Sequence, residues 1–492
     1  MKYFTFVLAF CLTTFTTLHA GEKTPTEDDY YPILRYELPA GEVIECGAIE
    51  FFPDGKLAVG TRRGEIWIAE HALEPDPKKA KFTRFARGLH EVLGLAYKDG
   101  WLYATQRCDV SRLKDTKGTG KADLFEVVSD SWEINGNYHE YAFGSRFDKD
   151  GNMWIALCLT GSFDSGCKFR GWGGKITPDG KFIPTTSGVR SPGGVGFNAQ
   201  GDVFYTDNQG PWNGACGLKQ LVNGGFVGHP DSFKWYPEAN KLNPTLGPAP
   251  LVPKTNSRMM TEAKRIPQLV PTCVIFPYIT MGQSAAGIDC DLSGGKFGPF
   301  KEQLFVGDQT HSTVMRVFLE KVEGRYQGAV FPFRAGFGSG NVPVRFAPDG
   351  SLVVGGTNRG WGSRGNKQFA LERVAWTGKV PFEIQEMRAK SDGFELVFTD
   401  KVDAKTAGNL ASYKMKTYTY IYRADYGSPE VDHTKPDITR AVVGADGKSV
   451  RLFVGPLQPG HVHELASAGV RSAEGLPLLH KEAYYTLNYI PK

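Results

Sequence analysis

The sequence predicts an all-β chain: a six-bladed β-propeller followed by a small Ig-like β-sandwich. Three observations carry this expectation. A hairpin motif recurs through the first three quarters of the chain, its copies keep a near-constant spacing, and the last quarter changes to plain period-two alternation. The 59 glycines and 12% aromatic residues fit a fold of many short strands and tight turns.

The hairpin appears as IEFFPDGKLAVGT from Ile49, GLAYKDGWLYATQ from Gly94 and SRFDKDGNMWIAL from Ser145. It returns as GVGFNAQGDVFYTDN from Gly194 and VRFAPDGSLVVGGT from Val344, and with a longer turn as GIDCDLSGGKFGPFKEQLFVGDQ from Gly287. Each copy is an apolar strand, a turn closed by glycine, and a second strand of alternating apolar residues. Asp-Gly and Gln-Gly supply the turn because glycine enters positive φ at little cost. The copies lie roughly 45 to 55 residues apart except across one wide gap, a period that marks propeller blades of four strands. Six copies predict six blades over 31–378. The wide gap holds 229–272, rich in proline, which reads as an insertion on one face, either a lid or a packing surface.

From about Lys379 the turn motif stops. Phe394, Leu396 and Phe398, then Val450, Leu452 and Val454, alternate as strands of a sandwich with one buried face do. The Ig-like unit is therefore placed at 379–492.

At the other end, MKYFTFVLAFCLTTFTTLHA has an early lysine, an apolar middle and a small residue before a polar stretch. This reads as a signal peptide, 1–20, with cleavage after Ala20. No later segment is apolar enough to span a bilayer, so the expectation is a periplasmic or secreted chain. A net charge of +4 over 492 residues makes no case for nucleic acid or an anionic membrane as partner. Beyond Cys11 seven cysteines remain, and Cys158 and Cys167 are close enough in sequence to close one small loop. No C-x-x-C-H occurs, so covalently attached haem is not encoded.

Loops beside the repeated hairpins converge at the mouth of such a ring, so polar residues there are the candidates for chemistry. NYHEY offers His139, whose imidazole titrates near neutrality and suits a general base, and Glu140, read as a substrate contact. HEYAF lacks the second histidine of H-E-x-x-H, as does LHEVLG at His90, so zinc is not expected; a hydrogen-bonded loop histidine is the alternative. GVRSPGG sets Arg190 before a rigid turn, where a guanidinium either grips a carboxylate with two parallel hydrogen bonds or caps backbone carbonyls. YTDNQGPWNG and NGGFVGHPD gather Asp207, Asn208, Gln209, Trp212 and His229 in one short region. Asn208 and Gln209 read as cofactor contacts, and Asp207, Trp212 and His229 as substrate contacts. LKDTKGTGKADLFE resembles a calcium loop that has lost its middle carboxylates. Asp115 and Asp123 keep oxygens of the kind Ca2+ takes, with a metal-free turn as the alternative.

Taken in order, these segments resemble the soluble glucose/sorbosone dehydrogenase family from about Tyr31 to Trp376. The likeness is nearest to a branch of large exported proteins that join such a propeller to Ig-like and haem-bearing parts. It rests on GLHEVLGLAYKDGWLYATQ, HEYAFGSRFDKDGNMWIAL, GVRSPGGVGFNAQGDVFYTDNQGP and GGFVGHP. The resemblance implies a six-bladed propeller that binds pyrroloquinoline quinone (PQQ) and oxidises a sugar or aldose. His139 matches the catalytic base and Arg190 a cofactor contact; with C-x-x-C-H missing, any electrons must leave to a separate acceptor. The family commonly has asparagine after that arginine, where Ser191 stands here. Its late lysine and pair of arginines fall on VGDQTHSTVM and GFGSGNVPVRF, which carry His311, Asn341 and Arg345 instead. Each lost charge-assisted contact should weaken an anionic cofactor by about 2 kcal/mol. Two other readings stay open: a lactonase or hydrolase on the same scaffold, and a non-catalytic module for glycans or proteins.

Overall fold

The computed structural model describes residues 24–492; the expected leader and Cys11 lie outside the described residues. The protein is all-β, built largely from small antiparallel sheets. Each repeated hairpin forms the first two strands of a four-stranded up-and-down unit. In the first unit Cys46–Phe51 pairs with Leu57–Thr61, which leads on to Ile66–Glu70 and Lys81–Ala86. Five more units follow, opening on Gly94–Lys98, Ala142–Phe147, Pro192–Phe197, Ala285–Cys290 and Asn341–Phe346. Each opening strand neighbours the next, and the sixth neighbours the first, so the units close into a ring. The outermost strand of the sixth unit comes from the other end of the chain: Ile33–Arg35 pairs there, with Ile33 opposite Val374.

Two sets of glycines make this geometry. The turn glycines Gly55, Gly100, Gly151, Gly201 and Gly350 all hold φ between 80° and 92°, the left-handed region that other residues resist. The second set lies in the opening strands, which meet backbone to backbone around the axis. A Cβ on Gly94 would stand 2.8 Å from the Cα of Gly144, and one on Gly194 would stand 2.6 Å from the Cα of Gly287.

Charge closes one end of the axis. Arg146 pairs with Asp289 at 2.8 Å, while Arg345 reaches Glu50 at 3.4 Å and Asp289 at 3.8 Å. All four side chains belong to opening strands. Arg345 is thus committed to this network and stands in a strand, away from the opposite mouth.

The 229–272 stretch lies between the third and fourth strands of the fourth unit, Cys216–Gln220 and Val274–Phe276. It carries short helical pieces, Pro230–Trp235, Tyr236–Leu242, Pro244–Leu246 and Met259–Arg265, and Tyr236 packs edge-on against Trp172 of the third unit. Among the described residues no helix is long and apolar enough to cross a membrane.

The C-terminal strands form two layers. Ile384–Lys390, Gly393–Phe398, Ser449–Gly455 and Asp437–Val443 make one sheet. The other is not separate from the ring. Glu482–Leu487 pairs directly with the long outer strand Arg325–Arg334 of the fifth unit, Ala329 opposite Tyr485, and the sheet continues through His461–Ala466, Lys414–Tyr420 and Glu430–Thr434. The alternating residues Phe394, Leu396, Phe398, Val450, Leu452 and Val454 are buried between the layers, together with Phe318 and Phe331 of the ring.

A charged clamp ties the chain ends to this junction. His480 sits between Glu27 at 2.9 Å and Glu383 at 2.6 Å, and Arg334 pairs with Glu27 at 2.7 Å. Burial alone would lower the His480 pKa, but the two carboxylates outweigh it and raise it to about 10. The seven described cysteines are all free. The small loop between Cys158 and Cys167 is therefore unbridged: Cys158 Sγ lies against Ser162 and the Arg190 carbonyl, whereas Cys167 faces Glu140 and the Glu133 carbonyl.

Two outcomes follow from the packing. Gly94→Ala forces the second and third opening strands apart and should cost about 1–3 kcal/mol in denaturant unfolding, as overpacking does. The His480 part of the clamp is present in full below the ordinary imidazole pKa of 6.5 and is lost as pH rises toward about 10. The Glu27 part, its carboxyl held down at about 2, is present above the ordinary 4.5 and is lost as pH falls toward about 2. His480→Ala should lower stability at pH 6 by on the order of 3 kcal/mol and flatten the alkaline decline in Tm.

Candidate functional site

The residues just before the opening strands and just after the second strands enclose a cavity of about 490 Å³ at one mouth of the ring. All six units contribute to its wall. Arg62 comes from the first, Leu93 precedes the second, and Tyr141 and Ser162 flank the hairpin of the third. Arg190 and Gln209 flank the fourth, Ser284 and Gln309 the fifth, and Val342 and Arg359 belong to the sixth. Among the described residues the wall carries three arginines, Arg62, Arg190 and Arg359, and no carboxylate.

Two of these arginines are neutralised from behind. Arg62 pairs with Glu91 at 2.6 Å and also donates to the Tyr141 hydroxyl at 3.0 Å, and Arg359 pairs with Glu45 at 2.8 Å. Arg190 is different. It is 4% exposed, and Nη1 donates to the carbonyls of Asn208 at 3.1 Å and Gln209 at 2.5 Å. Its Nε is buried with no partner, and no carboxylate pairs with it among the described residues. A buried cation without an anion is costly.

The local chain explains why Arg190 points here. Leu159 N–H donates to the Arg190 carbonyl at 3.0 Å, and Ser191 N–H donates to Asp207 Oδ1 at 2.8 Å, which pins the backbone on both sides. The guanidinium rests directly on Gly210, where any Cβ would fall on it.

His139 lines the same cavity, half-buried. Its ring lies against Tyr138 at a tilt of 31° with centroids 4.0 Å apart and meets Tyr141 edge-on at 5.8 Å. Its backbone N–H donates to Asn137 Oδ1 at 2.9 Å. Burial lowers its pKa, and the charges of Arg190, Arg62 and Arg107 lower it further. The imidazole is therefore neutral at neutral pH and able to accept a proton. Asn208 and Gln209 also line the cavity, and Gln209 Nε2 donates to the Gly214 carbonyl at 3.1 Å.

Four expected substrate contacts stand outside the wall. Glu140 is fully buried and braces the loop, accepting from Asn135 N–H and the Thr160 hydroxyl, each at 2.8 Å. Asp207 is consumed by Ser191 N–H, the Tyr205 hydroxyl and Lys219 Nζ. Trp212 packs edge-on against Tyr422 of the C-terminal region. His229 is buried at the start of the insertion, where its Nδ1 accepts from Asp231 N–H at 3.3 Å, and burial lowers its pKa to about 4. His311 and Asn341 are buried too and do not line the cavity.

Asp115 and Asp123 lie in an exposed turn, where they accept backbone N–H groups of Lys117, Gly120 and Thr116. Among the described residues no group of three or more His, Cys, Asp or Glu side chains is placed to hold a metal ion. The oxygens of these two carboxylates serve the turn itself.

Several wall residues escaped the sequence reading although a signal existed. Arg62 in GTRRG and Arg359 in GGTNRGWG closely follow the second strands of the first and sixth hairpins. Gln309 in GDQT repeats the place of Asn208 in TDNQ: each follows the last residue of a second strand. Asp308 there works as Asp207 does, accepting from Gln283 and Ser284 N–H at 2.8 and 2.9 Å. Tyr426 had no such signal, since it reaches the wall from the C-terminal region. The rim is also strained, with Ser162 and Ile279 at φ 65° and 67°.

Comparison with known proteins bears on fold and family. Residues 54–354 match a family described as a domain of unknown function, DUF7133. No curated protein matches the chain. Among solved structures, an oxidoreductase (glucose dehydrogenase) from Thermus thermophilus is 18% identical, with a TM-score of 0.51 over 70% of this chain and 99% of that one. The PQQ-bound aldose sugar dehydrogenase of Streptomyces coelicolor is 15% identical over 71% and 99%, with a TM-score of 0.46. The PQQ domain of a pyranose dehydrogenase from Coprinopsis cinerea is 12% identical over 70% and 95%, at 0.48. At these identities the Thermus protein shares a fold with this chain, and the comparison says nothing further.

The arrangement around Arg190 predicts the behaviour of one conservative change. Gly210→Ala pushes the guanidinium off its seat without altering any charge. Binding of an aromatic tricarboxylate such as trimesate, measured by titration calorimetry, should weaken about tenfold or more, the worth of one charge-assisted hydrogen bond. Unchanged affinity would show that Arg190 does not meet the anion.

Proposed function

The chain belongs to the DUF7133 family, whose function is undefined, and from that premise we propose that it is an exported quinone-dependent oxidoreductase acting on a sugar or aldose. In this reading the ring is a six-bladed propeller and the C-terminal layers are an Ig-like module. Residues 1–20 are a leader that directs the chain to the periplasm or outside the cell. The observation that carries the proposal is the buried, anion-free guanidinium of Arg190 in a cavity walled, among the described residues, by three arginines and no carboxylate.

The donor set fits PQQ, a planar group bearing carboxylates. Arg190 offers an unpartnered Nε, and Asn208 lines the wall beside it. A quinone of this kind supplies a hydride acceptor when bound. The chain's own residues do the rest. Arg190 fixes the anion, the wall of Leu93, Phe143 and Val342 limits water, and His139 takes the proton of a substrate hydroxyl at an imidazole nitrogen. Electrons then leave to a separate acceptor.

One observation favours a second reading, a non-catalytic site for acidic glycans. Among the described residues no carboxylate or carbonyl is hydrogen-bonded to the His139 ring to fix its tautomer, as a dedicated base commonly has. The two readings separate on one experiment. PQQ is titrated into the full chain by calorimetry, followed by dye reduction with a panel of aldoses. The proposal expects saturable PQQ binding and turnover that His139→Ala lowers by about 10²–10⁴-fold with little change in PQQ affinity. Absence of binding overturns it, and binding without turnover leaves the second reading. Because the His139 pKa is lowered, turnover should persist as pH falls past 6.5, with its acid limb below that value.

A further inference from the structure

The C-terminal region reaches back over the mouth of the ring. After Lys414–Tyr420 the chain crosses the rim and places Tyr426 in the cavity wall. Arg190 Cζ stands 5.2 Å from the centroid of that ring, and the Phe163 ring 6.3 Å from it. The guanidinium thus has Gly210 against it and an aromatic face over it.

The segment is held from several directions. Trp212 N–H donates to the Arg423 carbonyl at 2.7 Å, and Ser428 N–H to the Gly214 carbonyl at 3.1 Å. Ser257 and Tyr422 exchange backbone hydrogen bonds at 3.1 and 3.0 Å, and Ala424 N–H donates to Thr255 Oγ1 at 3.0 Å. Arg423 Nε closes the turn on the Gly427 carbonyl at 2.9 Å. Gly427, at φ 59°, lies so close to Gln209 that a Cβ would meet its Cδ at 2.6 Å. These anchors come from the 208–214 loop and from the 229–272 insertion. Despite them, Tyr426 is 51% exposed. Its backbone is fixed while its ring keeps only two torsions to settle, which makes a rigid aromatic contact of low entropic cost.

We propose that Tyr426 is a ligand-binding residue of the central cavity. It roofs the Arg190 subsite and stacks on the flat, carboxylate-bearing group held there, and the 229–272 insertion buttresses the roof. This rests on reading the cavity as an anion site. It makes the C-terminal region part of the site, joined to the ring by the shared sheet at one place and by this segment at another. A planar anion meets both requirements of such a subsite, charge for the guanidinium and a face for the ring.

Two measurements on the full chain test it, comparing the parent with Tyr426→Phe and Tyr426→Ala. The first follows PQQ release by fluorescence. Tyr426→Ala should release it about tenfold faster, since losses of contact act mainly on dissociation, and Tyr426→Phe should stay within about twofold because the ring face is kept. Release at the parent rate from Tyr426→Ala overturns the proposal. The second needs no ligand: modification of Arg190 by phenylglyoxal is read by peptide mass spectrometry, with Arg359 as internal reference. Removing the roof should speed Arg190 modification several-fold, and an equal rate overturns the proposal. If the parent does not bind PQQ yet Arg190 is uncovered in Tyr426→Ala, the cofactor reading falls and the roof stands.

Discussion

The approach of bare backbone to bare backbone at the axis governs this molecule. Gly94 against Gly144 and Gly194 against Gly287 leave no room for a side chain, so neighbouring opening strands can lie near enough to close six units into a ring. Everything functional is secondary to that closure. The cavity exists because the short loops entering and leaving those strands are brought to one mouth, and its depth is set by how tightly the strands pack beneath it.

The two ends of the axis differ in electrostatic character. At one end Arg146, Asp289, Arg345 and Glu50 satisfy each other, a network with no need of a ligand. At the other end, among the described residues, Arg190 has backbone carbonyls on one nitrogen and the Tyr426 ring over its face, with no carboxylate paired to it. Charge is balanced at the first end and unbalanced around Arg190 at the second. Asp207 and Asp308 hold backbone N–H groups behind the wall, and the amides of Gln209 and Gln309 brace it in turn by donating to the carbonyls of Gly214, Thr357 and Arg359.

Legibility varied from residue to residue for reasons that can be named. His139 and Arg190 were readable because each adjoins a repeated hairpin and so must reach the mouth. Glu140 and Asp207 adjoin the same hairpins but turn the other way, because their carboxylates find backbone donors in the wall, and sequence spacing carries no sign of that choice. Arg62 and Arg359 were legible in principle, since both closely follow a second strand. The Cys158–Cys167 loop misled, because nearness in sequence says nothing of where two thiols point.

Local chemistry was enough to fix the hairpins, their number and the change of pattern near Lys379, since turn glycines and period-two burial depend on near neighbours in the chain. The joining of the last strands to Arg325–Arg334 was beyond such reasoning, and so was the placing of Tyr426 over Arg190. Those contacts link residues more than a hundred positions apart, the first through backbone pairing and the second through a side-chain contact across the rim, and only the folded chain selects among them.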